Sequence, residues 1–317
     1  MAHFLVTGGA GFIGSHLIGA LLRDEEARVT CIDNFEDFYP RNIKEANVNL
    51  YSNDSRFVFY QVDIGKIDEL TSVLSTIKKP DVIIHLAARA GVRPSIAQPL
   101  DYYQTNVMGT LHLLEYAKNQ RIQNFVFASS SSVYGQNPDV PWKENVTDLQ
   151  PISPYAASKI AGENLGQVYS HLYDIQFKAL RLFTVYGPRQ RPDLAIHKFA
   201  ELMIKSESIP LFGDGTTYRD YTHVSDIVNG FLAAIKYGKK KFDVFNIGSG
   251  NPVTLMELVN GLEQAMKVKA TIDFLPKQAG DVDRTYADIN KAKADLGYSP
   301  KMNIEEGLRD FWDWKRT

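Results

Sequence analysis

The feature that most constrains the fold of this chain is a glycine-rich turn close to its N-terminus. An apolar run at residues 3–7 precedes Gly8, Gly11 and Gly14, and a helical pattern starts at Phe12. Gly8 would permit a tight turn, Gly11 would let the backbone approach a pyrophosphate, and Gly14 would let helix and strand pack closely. The amides at the helix start favour an anion. The segment therefore predicts the opening strand, turn and helix of a dinucleotide-binding fold.

The first half of the chain alternates strand-like and helix-like segments. Short runs rich in Val, Ile and Phe predict buried parallel strands at residues 3–7, 28–33, 56–62, 81–86, 124–129 and 177–183. Helical patterns lie between them at residues 12–23, 67–77, 100–119 and 154–172. This alternation predicts an α/β fold with a doubly wound parallel sheet of the Rossmann type.

After about residue 187 the segments become shorter and the loops carry Arg, Asp, Pro and Gly. Helical patterns recur at residues 195–205, 225–236, 255–266 and 304–314. We therefore expect a dinucleotide-binding Rossmann domain over residues 1–187 and a smaller α/β substrate domain over residues 188–317. The boundary is soft and segments could interleave, because nothing there resembles a free linker.

Composition narrows the class of partner. The chain has 35 Lys and Arg against 37 Asp and Glu, and its net charge of -2 argues against a general nucleic-acid binder. Cys31 is the single cysteine, so no intramolecular disulfide can form, which fits a cytoplasmic protein. We find no targeting or membrane segment. The seven histidines are scattered, so we expect no metal site.

A carboxylate in the expected place supports NAD as the cofactor. Asp33 ends the second predicted strand nineteen residues after Gly14, where a carboxylate reaches the adenosine ribose hydroxyls and repels the 2′-phosphate of NADP. Asp63 closes the third strand and could meet the adenine edge. The cofactor residues predicted in this part of the chain are Gly8, Gly11, Phe12, Ile13, Gly14, Asp33, Asn34, Asp63, Ile64, Leu86, Ala87 and Ala88.

Tyr155 and Lys159 form the candidate catalytic pair. They are four residues apart in a helical pattern and so share one face, and both also belong to the predicted cofactor site. A free tyrosine has a pKa near ~10, so it needs nearby positive charge to act as a base at neutral pH. Four serines at positions 129–132 follow the fifth strand, and we choose Ser130 as the hydroxyl that orients the substrate.

These motifs resemble the extended short-chain dehydrogenase/reductase family, which includes the NDP-sugar epimerases and dehydratases. The resemblance rests on residues 8–14, 32–34, 85–88, 130–135 and 155–159, and it continues through residues 183–188, 219–221 and 246–248. It implies that the first domain binds NAD and the second binds a nucleotide sugar. It also implies that Asn106 lies near the nicotinamide and that a homodimer forms through the helices at 100–119 and 154–172.

Several reactions share this scaffold. A 4,6-dehydratase typically has an Asp-Glu pair where this chain has Ser131 and Ser132, so dehydration is disfavoured. A reductase would release its cofactor in each cycle and often prefers NADP. A non-enzymatic NAD-sensing regulator tends to lose the tyrosine and lysine, which are both present.

The second half resembles UDP-glucuronate 4-epimerases, through residues 90–95 and 183–195, with Pro94 and Leu194 as departures. This implies interconversion of UDP-glucuronate and UDP-galacturonate through a transient 4-keto sugar. A UDP-glucose or UDP-N-acetylglucosamine 4-epimerase and a UDP-glucuronate decarboxylase remain open alternatives. The serine and threonine hydroxyls would hold the hexuronate. Arg191 and Arg219 would hold the diphosphate, and Asp281 would contact the uridine ribose. The predicted substrate residues are Arg93, Ser130, Ser131, Ser132, Thr184, Arg191, Arg219 and Asp281.

Overall fold

A computed structural model describes residues 2–276 and 282–317 of the chain. Its centre is a parallel sheet of seven strands in the order β3-β2-β1-β4-β5-β6-β11. The strands are β1 (His3–Thr7), β2 (Arg28–Asp33), β3 (Phe57–Gln61), β4 (Val82–His85), β5 (Asn124–Ser130), β6 (Gln176–Leu182), β7 (Thr184–Tyr186), β8 (Ile209–Phe212), β9 (Tyr218–Arg219), β10 (Tyr221–His223), β11 (Phe242–Ile247), β12 (Val253–Thr254) and β13 (Ile272–Leu275). The predicted doubly wound sheet is confirmed.

Helices cover both faces of this sheet. They are α1 (Phe12–Leu21), α2 (Arg41–Asn49), α3 (Ile67–Thr76), α4 (Val92–Ala97), α5 (Pro99–Tyr102), α6 (Gly109–Gln120), α7 (Pro154–Tyr173), α8 (Ala195–Ile204), α9 (Val224–Lys236), α10 (Leu255–Met266), α11 (Asn290–Leu296) and α12 (Ile304–Lys315). The single helix expected over residues 100–119 is wrong in detail. A π-helix at Tyr103–Met108 separates α5 from α6, so one stretch of helical spacing holds three segments with two hydrogen-bonding patterns.

Alternate residues of each central strand enter opposite core layers. Leu5, Ile83 and Phe125 belong to the layer that includes Leu113 and Leu114 of α6. Their neighbours along the strands pack in the other layer with Leu17 of α1 and Phe231 of α9, and these are Val6, Ile84 and Val126. Because both faces are covered, the strands are apolar along nearly their whole length.

The segment after residue 187 builds a third apolar cluster around Phe199, Leu258 and Phe311. Three small pairs of strands accompany it, β7 with β10, β9 with β12, and β8 with β13. The chain also returns to the large sheet, because β11 pairs with β6 in parallel over Phe242–Ile247. The two parts are therefore interleaved in space.

The order of the strands in the sheet indicates where a ligand site should lie. The chain runs from β1 through β2 to β3 on one side of the sheet, then crosses back to β4 on the other side of β1 and continues to β5. At such a reversal the loops beyond the strand ends diverge and leave a crevice where ligands bind. No helix among residues 2–276 and 282–317 is long and apolar enough to cross a membrane.

Candidate active site

A cavity of about 620 Å³ lies at the carboxyl ends of the central strands. Its wall is formed by the glycine turn, the ends of β2 to β6 and the start of α7. Most of the predicted cofactor residues lie on this wall, namely Gly8, Gly11, Phe12, Ile13, Gly14, Asp33, Asn34, Asp63, Ile64, Leu86, Ala87, Ala88, Tyr155 and Lys159. The two most separated parts of the predicted site, the glycine turn and the Tyr155–Lys159 pair, thus share one cavity.

The glycine turn has no room for side chains at two positions. Gly8 has a φ of 74°, and a Cβ there would lie 2.5 Å from the backbone nitrogen of Ala87. A Cβ on Gly14 would lie 2.3 Å from the carbonyl oxygen of Gly8. Gly11 precedes α1 and supplies no side chain to cap it, so the first amides of the helix face the cavity ready for an anion.

Asp33 is anchored by two backbone amides. Its carboxylate accepts hydrogen bonds from the nitrogens of Ala10 at 3.1 Å and Phe35 at 2.9 Å. Burial raises the pKa of this carboxyl, although those amides and the Lys44 ammonium oppose the rise. The side chain is therefore fixed on the cavity wall at the end of β2. Asp63 instead accepts from the Asn34 amide at 3.2 Å and from the Gly65 nitrogen at 2.8 Å.

The start of α7 presents Tyr155 to the cavity. The Ser153 hydroxyl caps the helix by accepting from the Ala156 nitrogen at 3.1 Å, and Pro154 occupies the first turn. Burial raises the pKa of the Tyr155 phenol above its usual value, while a hydrogen bond with Ser130 and the charge of Arg191 oppose that rise. The arrangement brings the Ser130 hydroxyl and the Tyr155 phenol together at one point of the wall.

Lys159 is almost fully buried behind Tyr155. Its ammonium donates to the carbonyl oxygen of Ala128 at 2.7 Å and lies 5.9 Å from the centre of the Tyr155 ring. Burial lowers the pKa of Lys159 to about 7, and the Glu163 carboxylate opposes the decrease. The lysine therefore ties α7 to β5, and its charge depends on its surroundings.

A buried ion pair that the sequence analysis missed supports this arrangement. Glu163 and Arg181 form two hydrogen bonds, at 3.0 Å from Nε and 2.7 Å from Nη2, and the Ser129 hydroxyl donates to the same carboxylate at 2.5 Å. The Arg181 guanidinium also lies 4.8 Å from the centre of the Tyr134 ring. Glu163 lies four residues after Lys159 on the helix, a spacing that could have revealed it.

Only some of the predicted substrate residues lie on the cavity wall. Ser130, Ser132, Thr184 and Arg191 line the cavity, whereas Ser131, Arg93 and Arg219 do not appear on its wall. The Arg93 guanidinium lies 5.9 Å from the Phe212 ring, and Arg219 donates to the carbonyl oxygens of Tyr218 and Val282. Asp281 lies outside the described residues.

Asn106 sits behind the wall. Its amide accepts from the Arg89 nitrogen at 2.8 Å and donates to the Arg89 carbonyl at 3.0 Å and to the Ser158 hydroxyl at 2.9 Å. It therefore fixes the loop after β4 against α7. Tyr102, another residue that the sequence did not single out, packs edge-on against Tyr155. Within the described ranges, no cluster of His, Cys, Asp and Glu could hold a metal ion.

Comparisons with known proteins agree with this geometry. The GDP-mannose 4,6 dehydratase family matches residues 5–311. A UDP-glucuronate 4-epimerase of Thermodesulfobacterium geofontis is 40% identical and covers 100% of this chain and 97% of its own. The structure of UDP-glucuronic acid 4-epimerase from Bacillus cereus, in complex with UDP-glucuronic acid and NAD, superposes with a TM-score of 0.92 at 39% identity over 99% of both chains. A UDP-N-acetylglucosamine 4-epimerase from Methanobrevibacter ruminantium superposes with a TM-score of 0.91 at 32% identity, over 99% of this chain and 98% of its own.

Proposed function

Because the chain belongs to the GDP-mannose 4,6 dehydratase family and matches nucleotide-sugar 4-epimerases from end to end, we propose that it is an NAD-dependent 4-epimerase that interconverts UDP-glucuronate and UDP-galacturonate. The observation that carries this proposal is a set of neutral hydroxyls, those of Ser130, Ser132 and Thr184, in the same cavity as Tyr155. An acidic pair of the kind that a dehydratase uses is replaced by Ser131 and Ser132.

The residues present fit NAD. The glycine turn leaves space where side chains would clash, the first amides of α1 would receive the pyrophosphate, and the anchored carboxylate of Asp33 would meet the adenosine ribose. When bound, NAD would supply the redox chemistry that oxidises sugar carbon 4 and later reduces it again. A negative charge at Asp33 would also disfavour the 2′-phosphate of NADP.

The chain itself handles the proton. Tyr155 would remove the proton of the sugar 4-hydroxyl and later give it back, while Ser130 would hold the same oxygen in place. Because burial opposes ionisation of Tyr155, the phenolate needs positive charge, and the Lys159 ammonium, 5.9 Å from the centre of the ring, is a buried source of it. Asn106 would act indirectly, by holding the loop after β4 near the nicotinamide end.

The uronate imposes a further demand. A ketone at carbon 4 stands next to carbon 5, which carries the carboxylate, so the sugar becomes a β-keto acid that loses CO₂ readily. Short neutral hydroxyls can hold the carboxylate and still let the ring turn over. We assign this role to Ser130, Ser132 and Thr184 on the cavity wall and to the adjacent Ser131, and we assign the diphosphate to Arg191 on the wall and to Arg219 beyond it. Arg93 would lend positive charge near the sugar, and Asp281 would meet the uridine ribose.

A neutral-sugar 4-epimerase is the second candidate, and it is supported by the structural match to the UDP-N-acetylglucosamine enzyme. The test is to incubate the purified protein, without added NAD, with UDP-glucuronate, UDP-glucose and UDP-N-acetylglucosamine separately. We expect UDP-galacturonate from the first and little turnover of the others. Turnover of the neutral sugars alone would favour the second candidate, and UDP-xylose would indicate a decarboxylase.

We further propose a homodimer paired through α5, α6 and α7. Large apolar side chains are exposed on α5 and α7, with Leu100 at 83%, Leu172 at 59% and Val168 at 50%. Pairing two copies around a twofold axis would cover them. A cytoplasmic location also stays a proposal, and the single buried thiol of Cys31 supports it.

A further inference from the structure

Two charged side chains meet across the cofactor crevice. Glu36 lies in the loop after β2 and Arg89 in the loop after β4, and both line the cavity. Since β2 and β4 flank β1 in the sheet, their loops stand on either side of the glycine turn that follows β1. The Arg89 Nη2 lies 3.0 Å from the Glu36 Oε1, so an ion pair joins the two sides.

Arg89 is held firmly on its own side. Its Nη1 donates to the Gln98 side chain at 3.0 Å and lies 3.4 Å from the Asp101 carboxylate. Both backbone groups of Arg89 are bound by the Asn106 amide, at 2.8 and 3.0 Å. The guanidinium is therefore already held in position by its own side of the crevice, and this reduces the side-chain entropy lost when it pairs with Glu36.

Glu36 is equally well fixed. Its second carboxylate oxygen accepts from the Phe38 nitrogen at 3.0 Å, and its own nitrogen donates to the Asn34 side chain at 2.9 Å. The Lys44 ammonium donates to the Glu36 carbonyl oxygen. On the far side of the same loop, the Arg191 guanidinium lies 5.2 Å from the Phe38 ring. The loop after β2 is thus attached to two other segments of the wall.

We propose that Glu36 and Arg89 form a latch, an ion pair that closes over bound NAD and slows its release. The inference rests on the proposed NAD site. A 4-epimerase has reason to keep its cofactor, because loss of the reduced form would leave the keto sugar without the electrons it must regain. The side chains are 21% and 25% exposed, and a networked pair with such limited exposure is worth more than an isolated surface pair.

The test compares the wild type with Glu36→Gln, Arg89→Gln and the double variant. Each protein is loaded with NAD, and NAD release is timed by displacement with an excess of a fluorescent NAD analogue, at low and high salt. Glu45→Gln is the matched control, because Glu45 pairs with Arg41 on the surface at 2.7 Å outside the cavity wall. Thermal unfolding verifies that every variant is folded.

We expect each single variant to release NAD roughly 10-fold faster, and the double variant to be no faster than either, because the two charges act as one unit. High salt should speed release from the wild type but not from the double variant. The control should behave as the wild type does. Faster release from Arg89→Gln alone would mean that Arg89 binds the cofactor directly, and that result, or additive effects, would overturn the latch. A wild type that binds no NAD would instead overturn the proposed function, and the latch with it.

Discussion

Tyr155 and Lys159 stand in surroundings that oppose the charge each needs. Burial raises the pKa of the tyrosine and lowers that of the lysine to about 7, so these surroundings favour a neutral phenol. Positive charge brought by the oxidised cofactor would reverse this balance. Tyr155 would then ionise only in the complex with the oxidised cofactor, which is the complex in which the sugar can be oxidised.

Tyr155→Phe tests the proton step. The change removes only the hydroxyl, so the fold and NAD binding should survive, and the edge-on contact with Tyr102 should remain. Turnover should fall by roughly 10²–10⁴, the usual effect of losing a positioned acid–base group. Steady-state kinetics alongside NAD content after purification would measure both effects. Activity within a few-fold of the wild type would contradict the role of Tyr155.

Glu163→Gln tests how the charge of Lys159 is maintained. The carboxylate raises the pKa of Lys159, and the ammonium form is the useful one, so activity should be lost as pH rises through that pKa. Removing Glu163 lowers the pKa, and the alkaline limb of kcat against pH should therefore move to lower pH. Arg181 would also lose its buried partner, which should cost about 3–5 kcal/mol of stability.

The control for this change is Glu69→Gln, which breaks an exposed pair with Lys66 at 3.0 Å. It should leave both the pH dependence and the unfolding midpoint nearly unchanged. An unshifted alkaline limb in a folded Glu163→Gln protein would show that Glu163 has only a structural role.

At the scale of elements, the turn between β1 and α1 depends on close approach of two backbone segments. Gly14→Ala would place a Cβ 2.3 Å from the Gly8 carbonyl oxygen and push the helix away from the strand. We expect a loss of about 1–3 kcal/mol of stability and a protein that purifies without NAD. Gly238→Ala is the control, because its Cβ would meet nothing closer than 4.0 Å. Equal unfolding midpoints and NAD contents in the two variants would contradict this explanation.

The central strands were predictable because their apolar runs are nearly unbroken, but β11 was not. Asp243 and Asn246 interrupt its pattern, and both are buried in the structure. Asp243 accepts from Tyr237 and Lys291, and Asn246 pairs with Tyr134 and the Trp142 carbonyl. Apart from Tyr237, these partners come from distant parts of the chain, so local composition could not show that the polar groups would be satisfied there. The π-helix before α6 could not be predicted either, for a different reason: its residues keep the spacing of an ordinary helix.

At the scale of the whole molecule, one part of the candidate site is encoded in short sequence motifs, and another part forms only through tertiary contacts. The glycine turn, Asp33 and the Tyr155–Lys159 pair each carry their own spacing and could be predicted from sequence. The contact of Glu36 with Arg89 could not, because it depends on which strands flank β1. Charged residues in loops are common, and only the tertiary structure shows that these two meet.

The proposed dimer gives a prediction at this scale. Val168→Asp would put a charge on the exposed apolar surface of α7 and should yield a monomer by light scattering. Leu50→Asp is the control, since Leu50 is 61% exposed at the end of α2, away from these helices. A wild type that is monomeric, or a Val168→Asp protein that keeps the wild-type mass, would refute pairing through these helices.

We propose that this chain inverts carbon 4 of UDP-glucuronate with a cofactor that it retains. The most direct measurement is NMR of the product formed from UDP-glucuronate deuterated at carbon 4, with no NAD added. We predict UDP-galacturonate with its deuterium still at carbon 4, because the same bound cofactor takes and returns that atom. Deuterium lost to solvent, a pentose product, or no turnover of UDP-glucuronate by NAD-loaded protein would contradict the account.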